Sequence, residues 1–202
     1  MSKPGLHLVR DSGTGLRQFP AALRRMASGL CVVTAGHDEE ISGVTVASLT
    51  PLSIDPPRLL VNVSQHASVC RLITRDRWFG INILGSDQLA LADRFSTPGL
   101  SGPQRFEGLE WSPGASGAPL LGHAQAAIEC EADEIMERYA HAIIVGRPSD
   151  ITLAPQLSTL LYWNERYVEI DRDADLDLLA DVSVPMTLVR SRRFHDDRVK
   201  GK

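Results

Sequence analysis

The chain has 202 residues, of which 43% are hydrophobic and 23% are charged. That length fits one domain with a sizeable core, which excludes a chain that is disordered throughout. The 21 basic and 25 acidic residues give a formal net charge of −4, and aromatic residues make up only 5%. A mildly acidic, aromatic-poor chain lacks both the electrostatic attraction and the stacking surfaces that bind nucleic acids. We therefore expect no nucleic-acid partner.

Cysteine usage and hydropathy exclude several further classes. Cys31, Cys70 and Cys130 are far apart, lie among apolar residues and form no C-x-x-C pair. This pattern predicts buried free thiols and neither a disulfide framework nor a metal site. Residues 1–10 lack the apolar stretch of a secretory signal, and no run approaches the ~20 apolar residues of a membrane span. We expect a cytoplasmic protein that binds no membrane.

Composition divides the chain into three parts. Residues 1–15 are rich in glycine, proline and serine and predict a flexible N-terminus. Residues 16–170 predict one folded domain. Residues 171–202 predict a charged extension, in which an acidic block at 171–181 precedes a basic block at 185–202. Such blocks are typical of solvated tails or of contacts between subunits.

The predicted elements begin with a helix. Phe19, Leu23, Met26 and Leu30 recur at helical spacing, and Pro20 fits only a first turn, so we predict a helix from residue 20 to about 29. Shorter helices are predicted at 68–74, with Ser68 as the N-cap, and at 87–95.

Strands dominate the remaining chain. Apolar and β-branched runs bounded by turn residues predict strands at 30–35, 41–49, 58–63, 78–84, 120–134, 139–147 and 160–170. The first two flank a polar turn and predict a hairpin. Residues 96–119 predict a long loop, and such a loop is more often functional than idle. Because strand–helix–strand alternation is rare, we predict a mainly β fold with a few helices, an antiparallel barrel and not a doubly wound sheet.

The chain contains no P-loop, nucleophile elbow or H-E-x-x-H motif. Its chemistry-bearing residues are small hydroxyl side chains beside backbone breakers, namely Thr45, Ser48, Thr50, Ser53, Ser64 and Ser68. Such a cluster suits a planar cofactor with heteroatoms along its rim and a phosphate near the helix that begins at Ser68. The alternative is ordinary strand-end and turn chemistry.

The order of several segments is more specific than the hydroxyl cluster. These segments are FPAALRRMASGLCVVT (19–34), GVTVASLTPLSIDPP (43–57), FGINIL (79–84), QLA (88–90), RFEG (105–108), GAPL (117–120), HAIIVG (141–146) and LY (161–162). In content and order the chain resembles the flavin reductase family, the small NAD(P)H:flavin oxidoreductases that supply two-component monooxygenases. The resemblance spans about residues 17–170.

This resemblance implies a split β-barrel of the FMN-binding type, a homodimer, and hydride transfer from NADH or NADPH to FMN or FAD. It also implies a flavin-dependent monooxygenase as the partner that receives reduced flavin. The residues implied to bind the flavin are Thr45, Val46, Ala47, Ser48, Leu49, Asn62, Ser64, Ser68 and Phe95. The fold would position nicotinamide and flavin, which supply the redox chemistry themselves.

Two residues are implied to contact the nicotinamide. His141 is the implied catalytic residue, where an imidazole can bind the carboxamide or stabilise developing charge. Tyr167 is the second. The alternatives are a buried strand histidine and a core-edge aromatic.

Two other functions stay open from the sequence. One is an oxidoreductase of the same fold that retains its flavin and reduces another substrate. The other is a non-catalytic flavin-binding barrel.

Overall fold

The structure, a computed structural model, describes residues 15–100 and 102–171. The predicted N-terminal segment and charged extension lie outside these residues, except for Gly15 and Asp171. Within the described ranges, no helix is long and apolar enough to cross a membrane. Cys31, Cys70 and Cys130 are free and buried, which confirms the prediction from their spacing.

Twelve strands and three short α-helices make up the described chain. The strands are β1 (Ser28–Gly29), β2 (Cys31–His37), β3 (Glu40–Val46), β4 (Thr50–Ile54), β5 (Pro57–Ser64), β6 (Trp78–Ile83), β7 (Trp111–Pro113), β8 (Pro119–Leu121), β9 (Ala126–Arg138), β10 (His141–Leu153), β11 (Ser158–Trp163) and β12 (Arg166–Asp171). The helices are α1 (Phe19–Leu23), α2 (Ser68–Asp76) and α3 (Leu89–Ser96). The prediction of a mainly β fold with a few helices is confirmed.

Several element boundaries differ from the sequence prediction. β3 ends at Val46 and not at residue 49, and β10 continues to Leu153 and not to residue 147. The first helix ends at Leu23, because residues 28 and 29 pair with Tyr162 and Leu161 of β11 and strand pairing overrides the helical spacing. The predicted strand at 160–170 is a hairpin, which turns at Asn164 and Glu165, both with positive φ.

The predicted strand at 120–134 is also two strands. β8 ends at Leu121 and β9 begins at Ala126. His123 lies between them with a φ of 60°, a left-handed conformation that interrupts an extended run.

The strands form one large sheet and two small ones. The seven-stranded sheet has the order β3-β2-β6-β9-β10-β5-β4, a three-stranded sheet has the order β1-β11-β12, and β7 pairs with β8. Every pairing in the described chain is antiparallel. The predicted hairpin is β2–β3, with Cys31 opposite Val46 and His37 opposite Glu40.

The large sheet is rolled, and chain connectivity requires it. β3 and β4 lie at opposite edges of the sheet, yet only residues 47–49 join them. Four Cα steps, from Val46 to Thr50, span at most about 15 Å. The edges of a flat seven-stranded sheet would lie roughly 29 Å apart. The two edges therefore approach each other, and the gap between them, here called the seam, is bridged by residues 47–49.

The interior of the roll is the main core. Side chains from β2, β5, β6, β9 and β10 meet there, among them Val33, Val61 and Ile144. Val69, Leu72 and Ile73 of α2 join this cluster. A second cluster lies on the outside of the roll, where Phe95 of α3 packs with Phe106. Burial of apolar surface in these two clusters is the main source of the free energy of folding.

A buried asparagine ties β6 to its neighbours. The Asn82 amide nitrogen donates to the Val32 carbonyl at 3.1 Å and to the Thr34 hydroxyl at 3.2 Å. Its amide oxygen accepts from the Leu121 backbone N–H at 2.7 Å. Asn82 is fully buried with these bonds made, so its amide stabilises the packing of β8 onto the sheet.

Candidate active site at the seam

Ser48 ties the segment that bridges the seam to β5. Its hydroxyl donates to the Asn62 carbonyl at 2.9 Å and accepts from the Asn62 backbone N–H at 3.1 Å. Thr50 of β4 pairs with Leu60 of β5, so Ser48 lies where the next strand residue would bond Asn62. The side chain takes the place of a missing strand partner, and it leaves the backbone around Ala47 free of the ladder. Ala47 is exposed there.

Four side chains share the outer face of the sheet beside this bridge. His141 lies opposite Ser64, and Ile143 lies opposite Asn62. Directly opposite residues of an antiparallel pair point to the same side. Residues that alternate with them, such as Val61 and Val63, face the interior core. The strands therefore bring Asn62, Ser64 and His141 together on the surface next to the seam.

His141 is available to a ligand. Its side chain is exposed, and its imidazole has no hydrogen-bond partner within the described chain. Only its backbone is engaged, because its carbonyl accepts from the Gln65 amide at 3.2 Å. The alternative of a buried, satisfied strand histidine is thus wrong. An exposed imidazole on a rigid strand can stack on a planar group or donate to it.

An unpartnered side-chain oxygen of Asn62 indicates that this site fits a polar cofactor. Its Oδ1 is buried and lacks a hydrogen-bond partner among residues 15–100 and 102–171. A buried acceptor without a donor costs about 1–3 kcal/mol, so native structures rarely keep one without a reason. A ligand that brings an N–H or O–H removes this cost. The ring N–H and ribityl hydroxyls of a flavin are donors of this kind, and the residues present fit that group.

In the 45–49 segment, Thr45, Val46 and Leu49 pack against the protein, and Ala47 is exposed. The Thr45 hydroxyl donates to the Ala92 carbonyl of α3 at 2.7 Å, which anchors the end of β3 to that helix. Val46 and Leu49 are partly buried against the main core. Ala47 therefore presents the most open surface of this segment, and backbone groups supply much of its polarity. Small side chains there leave room for a planar ring.

Ser68 lies at the start of α2, but it is not the cap. The N-cap is Ala67, and Ser68 is the first helical residue, which corrects the predicted capping role. Its hydroxyl lies 2.6 Å from the hydroxyl of Ser42 on β3. The sequence analysis missed Ser42, whose only signal was its polar character inside an apolar strand. The Ser64 hydroxyl accepts from the His66 backbone N–H at 3.3 Å, within the turn that leads to α2.

Phe95 does not lie at the surface. Its ring is fully buried and packs edge-on against Phe106, with centroids 5.1 Å apart. A ring with no exposed area cannot contact a bound flavin, so the structure does not support the place of Phe95 among the implied flavin-binding residues. Arg105, the first residue of the RFEG segment, has a structural role in this region. Its guanidinium donates to the Arg94 and Thr97 carbonyls at 2.8 and 2.7 Å, and burial lowers its pKa.

Tyr167 lies on a different sheet from His141. It belongs to β12, packs partly against the outer core cluster and contacts Tyr162 edge-on, with centroids 5.7 Å apart. Its predicted contact with a nicotinamide stays a prediction. No group of three or more His, Cys, Asp or Glu side chains in the described ranges is arranged to hold a metal ion.

Comparison with known proteins agrees with this geometry. The sequence pattern of the family described as "Flavin reductase like domain" matches residues 23–171. This chain belongs to the flavin reductase-like family. It is 32% identical over 165 residues to the reductase component of the FADH(2)-dependent resorcinol hydroxylase of Rhizobium sp. strain MTP-10005, covering 81% of this chain and 91% of that protein. It is also 32% identical to the NADH-dependent FMN reductase SmoA of Agrobacterium fabrum, covering 71% and 80%.

Solved structures of flavin reductases share the fold. The NADH:FAD oxidoreductase SgcE6 of Streptomyces globisporus superposes with a TM-score of 0.71 at 28% identity, covering 84% of this chain and 100% of that one. BorF, the flavin reductase component of a bacterial two-component tryptophan halogenase, gives a TM-score of 0.71 at 28% identity, covering 78% and 99%. These similarities confirm the family and the fold class that the sequence resemblance implied.

Proposed function

We propose that this protein reduces free FMN or FAD with NADH or NADPH and supplies the reduced flavin to a separate flavin-dependent monooxygenase. Family membership supports the reaction class, and related proteins are named as the reductase components of a resorcinol hydroxylase and of a two-component tryptophan halogenase. The observation that carries the assignment to a site is the unpartnered Asn62 Oδ1 beside the seam. It supports a flavin at this place, because the N–H and O–H groups of a flavin are donors that this oxygen can accept from.

The chain's own contribution is binding and orientation. The segment 45–49 and Asn62 hold the flavin ring and ribityl chain, and Ser64 and Ser68 approach the ribityl chain or phosphate. When bound, the flavin accepts a hydride from the nicotinamide. No side-chain nucleophile is needed, so catalysis rests on holding the two rings in contact. His141, exposed beside Ser64, binds the nicotinamide carboxamide or stabilises charge as the hydride moves.

We propose a homodimer as the working form. α1 has no buried residue, and its Phe19 and Leu23, with Met26 just beyond it, are exposed. Large apolar side chains four and three residues apart form a stripe that normally packs against a partner. A second copy is the occupant that fits, since the same stripe is then buried on both chains. Light scattering should give twice the chain mass, and Phe19→Asp with Leu23→Asp should give monomers.

We propose the cytoplasm as the compartment. NADH and NADPH are available there, and three free, buried cysteines suit a reducing environment.

Anaerobic stopped-flow absorbance tests the reductase. Flavin-free protein is mixed with FMN or FAD and with NADH or NADPH, and the flavin absorbance is followed. We expect rapid bleaching of many flavin equivalents per protein, with a preference for one nucleotide and one flavin. Bleaching limited to one flavin that stays bound through desalting would indicate a flavin-retaining oxidoreductase. Tight binding without bleaching by either nucleotide would overturn the proposal and leave a flavin-binding barrel.

A further inference from the structure

A cavity lies away from the seam, and none of the residues proposed to bind flavin lines it. This cleft has a volume of about 970 Å³, and its wall includes Asp87, Glu110, Trp111, Leu153 and Leu157. A hollow of about 460 Å³ continues from it and shares Asp87 and Glu110. Together they form one groove, whose lining includes none of the residues proposed to bind flavin or nicotinamide.

The described chain ends at the wall of this groove. Asp171, the last residue of β12, pairs with Ser158 of β11. The Ser158 backbone N–H donates to the Gln125 side chain at 2.9 Å, and its hydroxyl accepts from the Ser86 backbone N–H at 3.1 Å. Ser158, Gln125 and Ser86 all line the cleft. The 31 residues that follow, 172–202, therefore begin where the groove begins.

The groove combines exposed apolar surface with negative charge. Leu153 and Leu157 are 69% and 60% exposed. Side chains of this size lose favourable free energy while they face water. Asp87 and Glu110 supply two carboxylates, and no lysine or arginine lines the cleft. The adjoining hollow has one, Arg94, whose guanidinium donates to the Glu107 carbonyl at 2.7 Å. His123 lies beside Glu110, with its Nε2 atom 3.0 Å from a carboxylate oxygen.

The chain beyond Asp171 carries a complementary sequence. Residues 172–181 contain four aspartates among alanines, leucines and one arginine, and they are long enough, at roughly 33 Å when extended, to cross the mouth of the groove. Residues 182–193 read VSVPMTLVRSRR, with apolar residues followed by Arg190, Arg192 and Arg193. Apolar groups followed by positive charge match exposed leucines beside carboxylates. The family match ends at residue 171, so this segment lies outside it.

We propose that residues 182–193 dock in this groove of their own chain, with the apolar residues against Leu153 and Leu157 and the arginines facing Asp87 and Glu110. Docking covers the exposed leucines and neutralises the carboxylates. The short tether keeps the effective concentration of the segment high, so modest contacts suffice. The proposal does not depend on the reductase activity.

Cross-linking within the full-length chain tests it directly. The pair Leu157→Cys with Met186→Cys is compared with the pair Ile54→Cys with Met186→Cys, since Ile54 is an exposed apolar residue of β4 outside the groove. The native cysteines are buried and do not compete. We expect the first pair to form a disulfide roughly tenfold faster, because the tethered segment is already in place. Equal rates for both pairs would overturn the proposal.

Isotope labelling distinguishes docking within one chain from exchange of the segment between two chains. Mixing ¹⁵N-labelled with unlabelled protein before oxidation should give disulfides only within single chains by mass spectrometry. Disulfides that join a labelled to an unlabelled chain would overturn docking onto the same chain and indicate exchange of the segment between copies.

Hydrogen exchange tests the electrostatic part without new cysteines. The triple variant Arg190→Glu, Arg192→Glu, Arg193→Glu is compared with the triple variant Arg198→Glu, Lys200→Glu, Lys202→Glu, which changes the net charge equally. We expect amides at 120–125 and 153–158 to exchange roughly tenfold faster in the first variant only, because only it opens the groove. The same protection in both variants, with equal melting temperatures, would contradict the proposal.

Discussion

Ser48 and Asn62 are joined by two hydrogen bonds through a single hydroxyl, one donated at 2.9 Å and one accepted at 3.1 Å. This pair ties the segment that bridges the seam to β5, at the point where backbone pairing between β4 and β5 has stopped. Asn62, whose backbone bonds Ser48, also carries the unpartnered amide oxygen. Holding the Asn62 backbone fixed therefore also holds the proposed flavin ligand in place.

Ser48→Ala should damage both stability and flavin binding. Loss of two hydrogen bonds should lower the free energy of unfolding by about 1–2 kcal/mol. Because Asn62 then loses its anchor, the Kd for flavin should rise roughly tenfold, which corresponds to about 1.4 kcal/mol. Urea unfolding and fluorescence titration with FMN measure the two effects.

Ser48→Thr is the matched control, since it keeps the hydroxyl, and it should restore most of the flavin affinity. Unchanged flavin affinity in Ser48→Ala would show that the bridge does not position Asn62.

Asn62→Leu should separate stability from function. Leucine has a similar size and removes the buried, unpartnered oxygen, so the flavin-free protein should gain about 1 kcal/mol in free energy of unfolding. The same change should weaken flavin binding at least roughly tenfold, because the acceptor is lost. Calorimetry of the flavin-free protein and flavin titration give the two numbers.

Asn82→Leu is the contrasting control. Asn82 makes three hydrogen bonds in the core, so its replacement should cost about 3 kcal/mol or more. If Asn62→Leu destabilised the protein as much as Asn82→Leu, the Asn62 oxygen would have a structural donor and the flavin assignment would lose its support.

Gly43→Ala tests the tight packing under α3. A Cβ on Gly43 would lie 2.6 and 2.8 Å from two ring carbons of Phe95, which itself packs against Phe106. The ring has no free space, so we expect a loss of about 1–3 kcal/mol in the free energy of unfolding.

Gly29→Ala is the control, because nothing lies within 4 Å of a Cβ at that position, and it should change stability by less than about 0.5 kcal/mol. Equal melting temperatures for both variants would mean that Phe95 has room to move and is free to approach a ligand.

Cysteine titration should make the protein less stable at high pH. Burial raises the pKa of Cys31 and Cys130 to about 12, from an ordinary value of 9.0. The unfolded chain therefore loses thiol protons from about pH 9, while the folded chain keeps them. This contribution to the free energy of unfolding is complete below pH 9 and is lost progressively between pH 9 and about 12.

The double variant Cys31→Ala, Cys130→Ala measures this effect. Its melting temperature should fall less steeply than that of the wild type as pH rises above 9. Iodoacetamide at pH 8 should label all three thiols in denaturant and none in the folded protein. Labelling of Cys31 without denaturant would contradict the burial.

Local sequence patterns predicted those elements of the fold that depend mainly on neighbouring residues. Alternation across residues 31–46 predicted the β2–β3 hairpin, because side-chain direction alternates along any strand. The seam was not predictable in this way. It arises because β9 and β10 pair between β6 and β5 and so complete the rolled sheet. The residues of β9 and β10 lie nearly a hundred positions after the segment that bridges the seam.

The positions of single site residues were predicted less well, again for physical reasons. Ser68 fits the residue preference of an N-cap, but its hydroxyl pairs with Ser42 and Ser68 is itself the first residue of the helix, with Ala67 as the N-cap. The family resemblance implied that Phe95 binds the flavin, yet its ring packs closely against Gly43 in the core. In both cases a tertiary contact that no local pattern encodes decided the outcome.

His141→Asn should separate catalysis from flavin binding. The imidazole is exposed and unbonded within the described chain, so its loss should leave the free energy of unfolding nearly unchanged. If it contacts the nicotinamide, kcat for NADH-dependent flavin reduction should fall roughly tenfold to hundredfold, toward the lower end of what one positioned acid or base contributes. The flavin Kd should change less than about twofold, because Asn62 and segment 45–49 are intact. His37→Asn, on the exposed β2–β3 turn, should match the wild type in all three measurements. Wild-type kcat in His141→Asn, measured by anaerobic stopped-flow, would remove this residue from the reaction and leave catalysis to the positioning of the two rings alone.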